Sequence, residues 1–156
     1  MAAFTFNRMS LLGTDYVMGA SASITPPASW KPALATSPTS GYNKTTSVWS
    51  ATVSGANVNE LASTTASGYA RATINKDQTG AGWAAGTTDA TGATTAGAQV
   101  TFTFTGAPAP NGANSWVISD GVTLNAGQLY FAADTAAARS FANGDTEKVT
   151  PSLKGT

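Results

Sequence analysis

The clearest hydrophobic pattern in the chain is Val100-Thr101-Phe102-Thr103-Phe104-Thr105, in which apolar and hydroxyl side chains strictly alternate. Successive residues of a strand point to opposite faces, so Val100, Phe102 and Phe104 share one face and the threonines take the other. Two short apolar runs follow, Trp116-Val117-Ile118 and Leu129-Tyr130-Phe131-Ala132, the first closed by Ser119-Asp120-Gly121. A link through Arg139 leads to Asn143-Gly144-Asp145 and then to Glu147-Lys148-Val149-Thr150. Upstream, residues 32–36 and 47–53 read as strands. Residues 68–74 return to alternation, with Ala70, Ala72 and Ile74 on one face and Tyr69, Arg71 and Thr73 on the other. Short strands separated by turn residues at this spacing predict an all-β chain, an antiparallel β-sandwich or barrel.

The remainder fits that pattern less well. Ala3-Phe4-Thr5-Phe6 alternates, as a strand or an extended arm would. Met9, Leu11, Leu12, Tyr16 and Val17 recur at mixed spacings around Gly13, which weakens a helix by about 1 kcal/mol, so the arm is extended or at most partly helical. Pro26-Pro27 and Pro32 mark a connector. Residues 75–99 are rich in Gly, Ala and Thr with Trp83 as the one large side chain, which predicts a surface excursion pinned by Trp83 with a weak strand near Thr94. Residues 134–138 read as a loop or a single helical turn. The expected organisation is an N-terminal arm and connector over 1–31, one sandwich or jelly-roll-like domain over 32–150, and a short tail over 151–156.

Composition narrows the chemistry. The 156 residues are long enough for one domain with a proper core. Charged residues make up 10% of the chain, and eight basic groups balance eight acidic ones, so there is no basic footprint for nucleic acid. No apolar run reaches the length of a membrane span, and the N-terminus lacks a signal-peptide pattern. With neither cysteine nor histidine, disulfides, thiolate sites, the usual zinc ligand and every Ser-His-Asp constellation are excluded. Neither a cofactor nor a metal site is expected. Near-zero net charge and a surface of small residues suit a protein that lives against neighbours.

Carboxylates are then the remaining acid–base reagents. Asp134, Asp145 and Glu147 lie in one half of the chain, but beside turn residues, where capping is their ordinary work. Gly80-Ala81-Gly82-Trp83 resembles the start of a phosphate loop without the strand and helix that would frame one, and Asn43-Lys44-Thr45 fits a glycosylation acceptor. Trp116 belongs to a core run, whereas Trp30, Trp49 and Trp83 lie nearer loops; Trp30 and Trp83 are the candidates for stacking on a sugar ring. Arg71 and Arg139 are the two charges placed to matter, each able to grip backbone or carboxylate across a sheet or a subunit interface. An internal pair with Glu60 or an aspartate is the competing arrangement.

The series Pro32-Ala33-Leu34-Ala35-Thr36-Ser37, Asn59-Glu60-Leu61, Ser67-Gly68-Tyr69-Ala70-Arg71, Trp116-Val117-Ile118-Ser119-Asp120, Leu129-Tyr130-Phe131 and Ala142-Asn143-Gly144-Asp145-Thr146 resembles a group of tailed-bacteriophage virion proteins, the capsid decoration (cement) or tail-fibre-like proteins. The resemblance runs from about residue 32 to 150; the excursion at 76–97 and the weak N-terminal helix depart from it. It implies a β-sandwich without catalytic residues that buries its surface on a viral shell, with the major capsid protein and copies of itself as partners. A trimer on the capsid exterior, with no nucleic acid or membrane partner, is the form expected. The partner-facing residues expected are Phe4, Phe6, Met9, Leu11, Leu12 and Tyr16 of the arm, with Arg71 and Arg139. The alternative is a tail-fibre adhesin that binds host-surface carbohydrate through Trp30 and Trp83.

Overall fold

The computed structural model describes residues 3–5, 27–43, 49, 58–61, 68–77, 80–90, 92–106, 112–122 and 127–155. Their strands are β1 (Ala3–Thr5), β2 (Ser29–Ala35), β3 (Ile74–Asn75), β4 (Thr87–Asp89), β5 (Gly92–Ala96), β6 (Val100–Thr103), β7 (Ala113–Ser119), β8 (Leu129–Arg139), β9 (Thr146–Val149) and β10 (Ser152–Gly155). All pairings are antiparallel. A five-stranded sheet runs β1-β8-β7-β2-β3, a three-stranded sheet β10-β5-β4, and β6 pairs with β9. The all-β, antiparallel sandwich-like fold expected from the alternation is the one observed.

The five-stranded sheet is covered on both faces. Leu34, Trp116, Ile118, Phe131 and Ala133 face a large core completed by Val100, Phe102, Phe104, Phe141 and Val149. Ala33, Ala35, Val117 and Ala132 face a smaller one with Tyr42, Trp49 and Val58. A strand buried on both sides needs apolar residues at successive positions, which is why β7 and the start of β8 read as runs while β6 and β9 alternate. Burial of each large aromatic in the main core contributes about 1.5–3 kcal/mol. Phe104 and Phe141 stack there with centroids 4.0 Å apart and planes 7° from parallel.

Pro32 sits inside β2 without breaking it. Its carbonyl accepts from Ala72 N (3.1 Å), so its missing N–H falls on the side of β2 away from β7, where the neighbour is largely irregular. A proline is tolerated where the ladder does not call for its donor.

The second core is also tied by polar contacts. Tyr42 Oη lies 2.6 Å from Ser115 Oγ, and Trp49 Nε1 donates to Ser119 Oγ at 3.2 Å. Both serines are fully buried, and these bonds offset what that would otherwise cost. The Asp134 carboxylate accepts from Thr39 N (2.7 Å) and Thr39 Oγ1 (2.8 Å), fastening the 3-10 turn Thr39–Gly41 to β8.

Several elements differ from the sequence expectation. Residues 68–74 do not form one alternating strand; Ile74–Asn75 pairs with β2, while Tyr69 and Ile74, expected on opposite faces, share the main core. Gly68 at φ +83° turns the chain, and residues 69–73 follow β2 through side-chain and single backbone bonds instead of a ladder. The excursion at 75–99 contains the expected strand near Thr94, which is β5, paired with β4 in a hairpin. Residues 134–138 are neither loop nor helical turn: they continue β8 to Arg139, across a register irregularity against β7. The tail is a strand too, β10, held to β5 from Ser152↔Ala96 to Gly155↔Ala93 with Leu153 packed on the core. At the other end β1 pairs with β8, Phe4 opposite Ala132, so residues 3–5 are built into the central sheet. The expected strand at 47–53, Trp49 apart, and the arm from Asn7 to Met18 lie outside the described residues.

Candidate functional site

Where the central sheet meets the three-stranded sheet there is a part-open cavity of about 190 Å3, walled by Trp30, Trp83, Ile118, Tyr130, Phe131 and Leu153. Local geometry assembles it from distant sequence. Ile118 pairs with Phe131 but Ser119 pairs with Leu129, leaving Tyr130 as the extra residue of a β-bulge. Such a bulge re-aims a side chain. Consecutive Tyr130 and Phe131 thus both reach the cavity, and Leu129 crosses to the smaller core. Trp30 on β2 stands edge-on to Tyr130, with centroids 5.0 Å apart and planes at 90°.

Trp83 is placed by a tight loop. Trp83 N donates to Asp77 O (2.9 Å), Ala98 N to Gly82 O (2.8 Å) and Ala84 N to Ala96 O (2.7 Å). A Cβ on Gly82 would come within 1.8 Å of Asp77 O, so the loop requires glycine there. The benzenoid edge of the indole lies over Gly97, where a Cβ would sit 3.4 Å from Trp83 Cζ3. The Gly80-Ala81-Gly82-Trp83 segment thus serves to seat the tryptophan, its amides engaged within the fold.

The cavity holds little hydrogen-bonding capacity. Tyr130 Oη donates to Asp120 Oδ2 at 2.9 Å, and Thr95 Oγ1, also in the lining, donates to Ala84 O at 2.7 Å. Trp83 Nε1 is buried and has no hydrogen-bond partner. A site of this kind presents ring faces and one donor.

Arg71 is turned inward. Its Nε and Nη2 donate to the two oxygens of Glu60 at 2.6 and 2.5 Å, and Nη1 donates to Gly121 O at 2.6 Å. The side chains of the pair are 4% and 1% exposed. The guanidinium carbon lies 4.8 Å from the centroid of the Trp49 ring, a cation–π contact. Tyr69 Oη donates to Glu60 Oε1 (2.9 Å) and accepts from Leu34 N (3.0 Å), so the cluster ties β2, the 58–61 segment and the β7–β8 turn together. Burial, reinforced by the Glu60 charge, pushes the Tyr69 hydroxyl well above the ordinary tyrosine value. Burial likewise raises Tyr42, with Asp134 adding to it.

The other candidates are dispersed. Arg139 pairs with Glu147 at 2.6 Å, but its side chain is 56% exposed. Asp145 Oδ2 accepts from Ala142 N at 2.7 Å and closes the turn before β9, where Gly144 adopts φ +88°. Asp134 holds Thr39 as described. Phe4 is in β1; Phe6, Met9, Leu11, Leu12 and Tyr16 lie outside the described residues. Trp30 and Trp83 do converge on one cavity. Sequence reasoning did not place Tyr130 and Leu153 there: Tyr130 reads as one member of an apolar run, and the bulge that turns it leaves no local signal. Among the described residues, no three acids come together as a metal site, and no helix is long and apolar enough to cross a membrane. Compared with known proteins, the chain matches no family model and no curated sequence.

Proposed function

We propose that this chain is a non-enzymatic bacteriophage virion protein, a capsid decoration (cement) protein that binds the outer surface of the major capsid protein shell and stabilises it. The observation that carries the reading is how the candidate acids are used in an antiparallel sandwich: Asp134 fastens a turn to β8, Asp145 closes a turn, and Glu147 pairs across to Arg139. Groups that a two-carboxylate hydrolase would aim at a substrate are here engaged in holding the fold together. The chain's low charge, with formal net charge +0, removes the repulsion that would oppose close packing of copies. In this reading bound copies stabilise the shell by mass action, and repetition over a lattice, as trimers on threefold positions, multiplies weak contacts. The apolar residues Met9, Leu11, Leu12 and Tyr16 serve as its anchor.

The test is stoichiometric. Purified virions separated on a gel should show this protein near the abundance of the shell protein; a handful of copies per particle would overturn the reading. Serine at positions 9, 11, 12 and 16 should weaken binding to stripped capsids without moving the unfolding midpoint. A second reading, a fibre-tip domain that binds host-surface carbohydrate, is favoured by the convergence of Trp30 and Trp83 on one cavity. It would be marked by scarcity in the virion and by glycan binding lost in Trp30→Ala.

A further inference from the structure

We propose that the cavity between the two sheets is a binding site for a small aromatic molecule carrying one carbonyl-type acceptor, independently of what the sandwich binds outside. Size is the first argument. An apolar cavity of roughly 150 Å3 holds a benzene ring, and this one, at about 190 Å3, has room for that ring and a short substituent. Shape is the second: Trp30 and Tyr130 meet at a right angle, so a flat guest packs face-on against one ring and edge-on against the other.

Polarity decides the class. The hydroxyls of Tyr130 and Thr95 already donate within the fold, to Asp120 and Ala84. The indole N–H of Trp83 is buried without a partner, a deficit that an incoming acceptor would remove. A pyranose would bring several hydroxyls to a wall with one unsatisfied donor, and burying them unpaired is costly. A ring with a single acceptor leaves nothing unpaired. The site thus selects on a flat apolar body and on one hydrogen bond, the pattern common to small-molecule pockets.

The experiment titrates the full chain, labelled with 15N, with acetophenone, with ethylbenzene and with methyl α-glucopyranoside, following the indole N–H resonances. Acetophenone should shift the Trp83 resonance, identified by its loss in Trp83→Phe, downfield and saturably. It should bind about fivefold more tightly than ethylbenzene, the same shape without the acceptor. In Trp83→Phe the ring remains and the donor is gone, so the two probes should bind alike. Leu153→Trp, which fills the cavity from β10, should abolish both. Absence of any saturable shift with either aromatic probe overturns the proposal. So does an unchanged preference for acetophenone in Trp83→Phe, or a glucoside that binds more tightly than acetophenone.

Discussion

Two ion pairs of the same formal type have opposite consequences because one is buried and the other is not. Glu60 accepts from both Arg71 and Tyr69 in the interior, so Glu60→Gln strands a guanidinium out of water and should cost about 3–5 kcal/mol in denaturant unfolding. Replacing both partners with methionine should cost less than Glu60→Gln alone, because no buried charge is left over. Arg139→Ala, by contrast, should change stability by less than about 1 kcal/mol, since that pair is solvated at the arginine. Tyrosine ionisation gives a further residue-scale prediction. Tyr42 and Tyr69 are held in the neutral form, so folding binds their protons more firmly than the unfolded chain does. Their contribution is therefore complete below the ordinary tyrosine value of about 10 and is lost as pH rises above it. An alkaline titration followed by tyrosinate absorbance should show both ionising together with unfolding, and circular dichroism should lose the β signal over the same interval.

At the scale of elements, two features of chain geometry control the cavity and its surroundings. The turn that leads into the β7–β8 bulge contains Gly127 at φ +90°, where a Cβ would lie 2.2 Å from Gly121 N. Gly127→Ala should therefore destabilise the fold by more than the 1 kcal/mol or so of an ordinary glycine replacement, and it should alter the Tyr130 environment, read by near-ultraviolet circular dichroism. β10 is the other control. Leu153→Ser should lower the thermal midpoint, because the last strand is a wall of the core and not a loose end. These elements also show what local sequence reports and what it does not. The alternation of β6 and the double-sided runs of β7 and β8 follow from burial pattern alone, so they were legible at Val100, Phe102 and Trp116. The strand character of Asp134 to Arg139 was not, because Asp-Thr-Ala-Ala-Ala carries no strand preference and becomes extended through its neighbours β7 and Thr39. β10 was invisible for the same reason: Ser-Leu-Lys-Gly is a strand by virtue of the edge that β5 offers it. Of the cavity, Trp30 and Trp83 were legible as aromatic side chains near loops, but their meeting depends on long-range pairing that no window of sequence contains.

For the molecule as a whole, the central position of one sheet sets a gradient of local stability. Backbone amides of Trp116, Val117 and Ile118, flanked by β2 and β8 and covered above and below, should be the last to exchange with deuterium, while those of the β4–β5 hairpin should exchange early. The antiparallel ladders join residues far apart in the chain, as when β1 pairs with β8 and β2 with β7. Long-range closure of this kind slows folding, so refolding on a timescale of milliseconds to seconds is expected in stopped-flow fluorescence. Because that central sheet is clad on both sides, a docking partner meets cladding and never the frame. The outer layers can therefore drift in composition to follow a changing partner while Trp116, Ile118 and Phe131 stay fixed beneath them, which makes this architecture tolerant of rapid change at its contacts without loss of its folded identity.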